Sequence, residues 1–262
     1  MSKSKAVAKV NKEKTALTSA GALIGRGFEN VDMSTVTMPR AKVMQGLSPE
    51  LQDEDYDFRQ GDIIHGLLME KLPEKFIPIS LWDSNTLFLP RDTSKHKEFF
   101  EALGIEPVDN LIICKSLDAK VTQMSAMNYK SCNNCPYKEF GWDGNPNTPP
   151  LCDKTINVLA LFEGMDMPVV IMFYGTNYKF GRRFRDLALF SGGDLFSKKY
   201  KITSVKESND KGTYFVTPVK PAGKATEEEL ALAEEMYTRF ANVRIDVDVD
   251  DEPEAEVEAP EY

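Results

Sequence analysis

From Asp62 onward the chain is built of short apolar runs, rich in branched and aromatic residues and separated by turn-forming clusters. IIHGLLM, KFIPISLW and NTLFLPR read as strands, the last two divided by Asp83-Ser84, a hairpin signal. KHKEFFEALG reads as a short helix in which Phe99, Phe100 and Leu103 share a face and Gly104 ends it. LIICKSL and AKVTQMSAM follow the strand rule. A second set comprises TINVLALFEG, PVVIMFYG, KYKITSVKES and GTYFVTPVK, with YKFGRRFRDLALFSGG as a helix between strands and SNDKG as a turn linking two cleanly alternating strands. A last helix opens at Thr226 and three glutamates and places Leu230, Ala233, Met236, Tyr237 and Phe240 at helical spacing. Many short strands with a few interposed helices predict a mainly β protein with helical additions, α+β in class. The preferred version is an OB-like five-stranded barrel with an inserted cysteine-rich zinc loop.

The two ends lack this patterning. Residues 1–37 are rich in Lys, Ser, Thr and Gly and read as a flexible basic arm. MPRAKVMQGLSPEL then starts a body running over 38–243, with ELQDEDYD as a solvated turn. Residues 244–262 are expected to form a disordered acidic tail. From Asp246 to Tyr262 there are nine carboxylates and no basic side chain. They account for the whole formal charge of -9, because positions 1–245 hold basic and acidic residues in equal number. Within this neutral body, residues 179–220 carry ten Lys or Arg against four acids. No apolar run approaches the roughly 18 residues of a membrane span, and no stretch of signal-peptide character follows the basic start. These features exclude a membrane helix and argue against secretion.

All four cysteines fall in one window, Cys114-x17-Cys132-x2-Cys135-x16-Cys152. A Cys-x2-Cys turn presents two sulfurs to one ion and a more distant pair closes a tetrahedral shell, so a structural Zn2+ is the leading reading. The loop from Cys132 to Cys152 is rich in Pro, Gly and Asn and needs such a staple. Alternatives are an iron–sulfur cluster, a redox pair at Cys132 and Cys135, separate buried thiols, or His65 or His96 in place of Cys114.

The sequence has no phosphate-binding Gly-Lys-Ser/Thr loop, no G-x-S-x-G elbow and no H-E-x-x-H helix, and it contains only two histidines. Asp53, Asp55 and Asp57 read as solvated surface. Basic residues interleaved with aromatics are more distinctive. Tyr174, Tyr178, Lys179, Arg182, Arg183 and Arg185 form one group, and Lys198, Lys199, Tyr200 and Lys201 a second. Cations neutralise phosphates and rings stack on bases whatever the sequence, the combination that single-strand binding requires. Phe173, Phe184 and Phe190 are assigned to the core.

The order of MPRAKVMQGLSPEL, short strands, CNNCPYKEFGW with a later cysteine, VVIMFYGTNYKFGRRF and an acidic tail resembles the single-stranded DNA-binding proteins of tailed bacteriophages. The resemblance implies an OB-type barrel that coats single strands sequence-independently in replication, recombination and repair, in some members with a structural zinc. It also implies an acidic tail that competes with DNA for the groove and recruits replication or recombination proteins. On this chain the tail residues are Asp246, Asp248, Asp250, Asp251, Glu252 and Tyr262. Here the tail ends in Tyr, not Phe, and four cysteines stand where the better-known zinc-containing phage member has three and a histidine. A non-enzymatic protein of the host-cell cytoplasm follows, with no membrane partner and with homo-oligomers compatible with the pattern. The competing readings are a zinc-containing adaptor for transcription or recombination and a metal-dependent nuclease.

Overall fold

The apolar run Thr155 to Phe162 is buried at every position, so it must be a strand covered on both faces rather than one side of a wetted sheet. The computed structural model describes residues 34–90, 92–127, 129–209 and 212–247. In chain order its elements are β1 (Thr35–Met38), β2 (Ala41–Val43), β3 (Ile63–His65), β4 (Glu70–Lys71), β5 (Lys75–Phe88), α1 (His96–Leu103), β6 (Ile112–Ser116), β7 (Met124–Ser125), β8 (Asp153–Phe162), β9 (Val169–Phe173), α2 (Tyr178–Phe190), β10 (Lys198–Ile202), β11 (Val205–Asn209), β12 (Gly212–Val216), β13 (Val219–Lys224), α3 (Glu227–Phe240) and β14 (Arg244–Val247). The protein is mainly β with a few helices, α+β as the pattern predicts.

The central sheet is organised by β5 and β8, antiparallel from Phe76↔Phe162 to Thr86↔Asp153. β9 adds to the far edge of β8. The other edge of β5 is shared: β10 pairs near its start and β6 near its end, extended by β13 and β7 respectively. Among the described residues no pairing joins the outer strands, so this seven-stranded sheet is open and does not close into the expected five-stranded barrel. Three smaller sheets accompany it: β2-β3-β4, the β11-β12 hairpin, and a parallel pair of β1 with β14.

Alternation along β8 sorts two cores. Ile156, Val158, Ala160 and Phe162 join Phe76, Ile171, Phe173, Tyr200 and Phe184 of α2. Leu159 and Leu161 join Ile77, Ile79, Ala233 and Met236 of α3, with Met38, Ile245 and Val247 of the β1–β14 pair. A third cluster, with Leu87, Ile113, Phe100, Leu103 and Met127, seats α1 and the cysteine region on the end of β5 and β6. The α1 reading holds: Phe100 and Leu103 are buried, and Gly104 ends the helix in the left-handed region at φ 63°. So does the start of α3, where Thr226 and Glu229 form a reciprocal capping box.

Several local readings are corrected. Asp83-Ser84 is not a turn, because β5 runs straight through it, paired to Ile156 and Thr155, and Ser84 Oγ takes a hydrogen bond from Asn157 Nδ2 at 2.8 Å. Long-range pairing with β8 overrides the local turn preference. AKVTQMSAM contributes only the two residues of β7, while KYKITSVKES and GTYFVTPVK are each split between two strands. Residues 35–37, read as part of the arm, and 244–247, read as part of the tail, are strand: β1 and β14 pair in register from Thr35↔Arg244 to Met38↔Val247. Residues 1–33 and 248–262 lie outside the described residues.

Gly181 is where α2 presses on the sheet. A Cβ there would stand 2.5 Å from Phe173 Cβ, in the middle of the first core. In an exposed helix Gly→Ala gains about 1 kcal/mol. Here overpacking reverses the sign, and Gly181→Ala is expected to cost roughly 1–3 kcal/mol, read as a lower urea midpoint with unchanged slope. A higher midpoint would show that α2 is not docked this way.

Candidate nucleic-acid interface and cysteine cluster

Helix α2 divides its residues by periodicity. Gly181 and Phe184 are buried against the sheet, and Arg182, Arg183, Asp186, Leu189 and Phe190 are exposed. Seven residues make nearly two turns, so Arg183 and Phe190 lie on one side, about 10 Å apart along the axis. Arg182 and Leu189 repeat that spacing. Arg182 and Arg183 make no ion pair among the described residues, so their charge faces solvent. Phe190, assigned above to the core, is instead 89% exposed and Leu189 is 70% exposed. Phe190 lies six residues from the buried Phe184, roughly 120° around the helix, and periodicity excludes it from the packed face. Two large apolar side chains at a helix end, about two turns from arginines that make no ion pair among the described residues, are the most conspicuous surface feature that the residue types alone did not reveal.

The remaining predicted cations are engaged to different degrees. Lys179 Nζ reaches Glu207 at 3.2 Å, Arg185 meets Asp83 at 3.5 Å and Asp186 at 4.0 Å, and Lys201 meets Glu74 at 2.5 Å. Exposed pairs of this kind contribute only about 0–1 kcal/mol, so a phosphate can compete for these side chains at little cost. Lys198 is turned instead to the end of α2, donating to the carbonyls of Ser191 and Gly192. Lys199 is a clamp: largely covered, it bonds Glu229 at 2.7 Å and Glu163 at 3.1 Å. The Glu229 carboxylate foremost, with Glu163, holds its ammonium above the usual lysine range. Tyr200 is a core residue, 2% exposed, with its ring edge-on to Phe184 at 4.9 Å. Alternation along β10 turns Tyr200 and Ile202 inward, so this ring is not presented to a ligand.

Tyr174 is 43% exposed where β9 ends. It lines a cavity of about 60 Å³ with Arg40, Lys42, Gln45, Asn177 and Thr217. Arg40 and Lys42 also line a neighbouring cavity of about 240 Å³, with Lys42 paired to Glu50. Tyr178 packs partly against the first core. The structure thus brings Tyr174 toward Arg40 and Lys42. These two cations lie in MPRAKVM, where alternation of basic and apolar residues was the available signal for a strand with outward charges. Asp53, Asp55 and Asp57 are exposed, as read.

The four cysteines line a single void of about 10 Å³ with Asn85, Leu87, Ser116, Met127 and Tyr129. All four thiols are free. Burial pushes the Cys152 thiol up to about 12, and Cys114, Cys135 and Cys132 act in the same direction. Burial likewise raises Cys114 and Cys135. Neither histidine lines the void. His96 Nε2 contacts the Pro90 carbonyl at 2.8 Å, and His65 is buried with Nδ1 accepting from the Leu67 and Leu68 amides. As they stand, no three His, Cys, Asp or Glu among the described residues are gathered tightly enough to hold a metal ion. A soft cation would require the sulfurs to close in. The donor set itself, four sulfurs with no carboxylate, suits such a cation.

At the far end, Asp246 is not part of a free tail: it lies in β14 between buried Ile245 and Val247 and pairs with Lys115 at 2.5 Å. The other proposed tail contacts, Asp248, Asp250, Asp251, Glu252 and Tyr262, lie outside the described residues. No helix among the described residues is long and apolar enough to cross a membrane.

In comparisons with known proteins, the family described as Pam3 phage gp34-like protein matches residues 6–245. No curated protein matches the chain. No solved structure matches it either.

Two phenylalanines of α2 provide a direct check on this arrangement. Phe184→Ala is expected to cost about 3–5 kcal/mol in chemical denaturation, as for a buried ring. Phe190→Ser is expected to change stability by no more than about 0.5 kcal/mol. Comparable losses at both positions would place Phe190 in a packed environment.

Proposed function

Because the chain belongs to the Pam3 phage gp34-like protein family, we propose from that premise and from the α2 surface that it is a non-enzymatic phage single-stranded DNA-binding protein. It coats unpaired strands without sequence preference during replication, recombination and repair in the host cytoplasm. The observation that carries this reading is the exposed side of α2, where Arg182 and Arg183, with no ion pair among the described residues, stand about two turns from exposed Leu189 and Phe190. Arginines neutralise phosphates and an exposed ring stacks on any base, so the surface has both parts of a sequence-tolerant single-strand site. Lys179, Arg185 and Lys201 add charge once released from weak surface pairs, and Tyr174 with Arg40 and Lys42 continues the basic and aromatic character. The OB-like part of the fold reading belongs with this function, because OB folds bind oligonucleotides across their strands and flanking loops. Binding only the unpaired form destabilises duplex by mass action and needs no nucleotide hydrolysis.

The acidic residues after Val247 act in this scheme as a tethered competitor. Eight carboxylates lie between Asp248 and Tyr262, and on a leash they imitate phosphates at high local concentration. DNA displaces them, which frees them for replication or recombination partners. The cysteine cluster acts as a structural zinc site of Cys114, Cys132, Cys135 and Cys152. When bound, the ion supplies only the charge that lets four crowded thiols exist as thiolates and thereby fixes the loop. The void lined by all four sulfurs supports Cys114, not a histidine, as the fourth ligand.

Fluorescence anisotropy with single-stranded and duplex oligonucleotides over a range of salt tests the binding reading. Tighter binding of the single strand is expected, with the salt slope reduced by about 0.7 for each of Arg182→Ala and Arg183→Ala. Truncation after Val247 is expected to raise affinity, most at low salt. Equal affinity for both DNA forms would overturn the proposal.

Zinc is expected at one ion per chain by metal analysis of protein purified without chelator. Cys135→Ser should abolish it, and chelation should lower the melting temperature. Because thiols must shed protons to ligate, and burial has raised Cys114, Cys135 and Cys152, affinity should weaken as pH falls and strengthen as it rises. Metal-free protein with four titratable thiols and an unchanged melting temperature would remove zinc from the account.

A further inference from the structure

A cavity of about 300 Å³ opens between β5, the end of α3 and the start of β14. Its walls include Leu81, Trp82, Tyr237 and Phe240, with Arg244 on one side and Asp118 on the other. Tyr237, one of the apolar positions at helical spacing in α3, is 46% exposed. This volume is at the lower end of ligand-sized clefts, and its aromatic lining is expensive to leave wet. It lies on the opposite side of the central sheet from α2, because its walls adjoin the core that holds α3 and β14. The DNA surface proposed above therefore does not account for it.

The position of the chain identifies an occupant. Ser34 accepts a hydrogen bond from the Arg244 amide at 3.1 Å, and Thr35 pairs in register with Arg244. Residue 33 and those before it therefore join the body at Arg244, itself a wall of the cavity. To cross from the β1 side to the cavity they need only pass one strand spacing, about 5 Å. From Phe28 to Ser34 the chain can span up to about 20 Å. The segment Leu23-Ile24-Gly25-Arg26-Gly27-Phe28-Glu29-Asn30-Val31-Asp32-Met33 supplies apolar side chains for the aromatic walls, an arginine for Asp118 and carboxylates for Arg244. The family match takes in this segment and stops at residue 245, so the acidic tail is outside the matched span while the arm is inside it.

We propose that residues 23–33 of the same chain dock in the cavity bounded by Trp82, Tyr237, Phe240 and Arg244, with Ile24 and Phe28 as the apolar anchors.

The chain has two tryptophans, so Trp142→Phe leaves Trp82 as the only tryptophan reporter. In this full-length background, acrylamide quenching of Trp82 is compared with and without Ile24→Ser/Phe28→Ser, and again after deletion of residues 1–33. Both changes are expected roughly to double the quenching constant, because solvent gains the ring. A synthetic peptide of residues 20–33 added to the deleted chain should restore the lower value. The effect should not depend on protein concentration. Equal quenching in all forms would overturn the proposal. A quenching constant of the unaltered arm that rises on dilution would also overturn it, by assigning the cavity to a second copy.

Discussion

The pairing of β5 with β8 is the constraint on which the other elements depend. Thr155 to Phe162 is buried on both faces, which is stable only if each face has its own cover. α2 supplies one and α3, with the β1–β14 pair, the other. The strand also carries a polar residue through the core: Asn157 is buried, bonds Ser84 through Nδ2, and leaves Oδ1 without a partner. An unsatisfied amide oxygen of this kind costs roughly 1–3 kcal/mol, while the bond to Ser84 adds a side-chain link to the backbone ladder where local sequence favours a turn. β5 therefore remains a single strand long enough to serve both wings of the sheet.

The candidate interface follows from that packing. Phe184 and Gly181 fix one side of α2 against Phe173 and Tyr200, which dictates that residues one and two positions away, Arg182, Arg183 and Asp186, face solvent. The arginines and Phe190 are thereby displayed by a helix whose rotation is locked, so their spacing is preorganised. Lys199 contributes indirectly. By joining Glu163 at the β8–β9 turn to Glu229 in the first turn of α3, it ties the edge of the sheet to the helix that covers it. Neutralising Lys199 would be read wrongly as loss of a DNA contact if stability were not measured alongside affinity.

Much of this was legible in the chain where local rules and tertiary packing agree. Thr226-x-x-Glu229 names its own helix start, Gly104 its own helix end, and the apolar run of β8 its own burial. The readings that failed did so where residue type was weighed without position. Phe190 was assigned to the core for being aromatic although its spacing from Phe184 put it on the wet side. Tyr200 was assigned to the surface for its lysine neighbours although strand alternation turned it inward. The Asp83-Ser84 turn failed for a different reason, since no local rule reports a partner strand some 70 residues away. The meeting of the four cysteines around one void was implied by their count but depends on β6 and β8 being held at the same end of β5.

The junction of body and tail shows how a charge run can mislead. Asp246 opens the acidic stretch by composition, yet Ile245 and Val247 beside it are core residues and Lys115 neutralises it. Removing everything from Asp246 would delete half of β14, expose Met38 and Ile79, and break the parallel pair that anchors the N-terminal side of the chain. A gain in DNA affinity from such a protein would mix lost competition with local unfolding. Cutting after Val247 separates the two, because the strand and its Lys115 pair stay while eight carboxylates are lost.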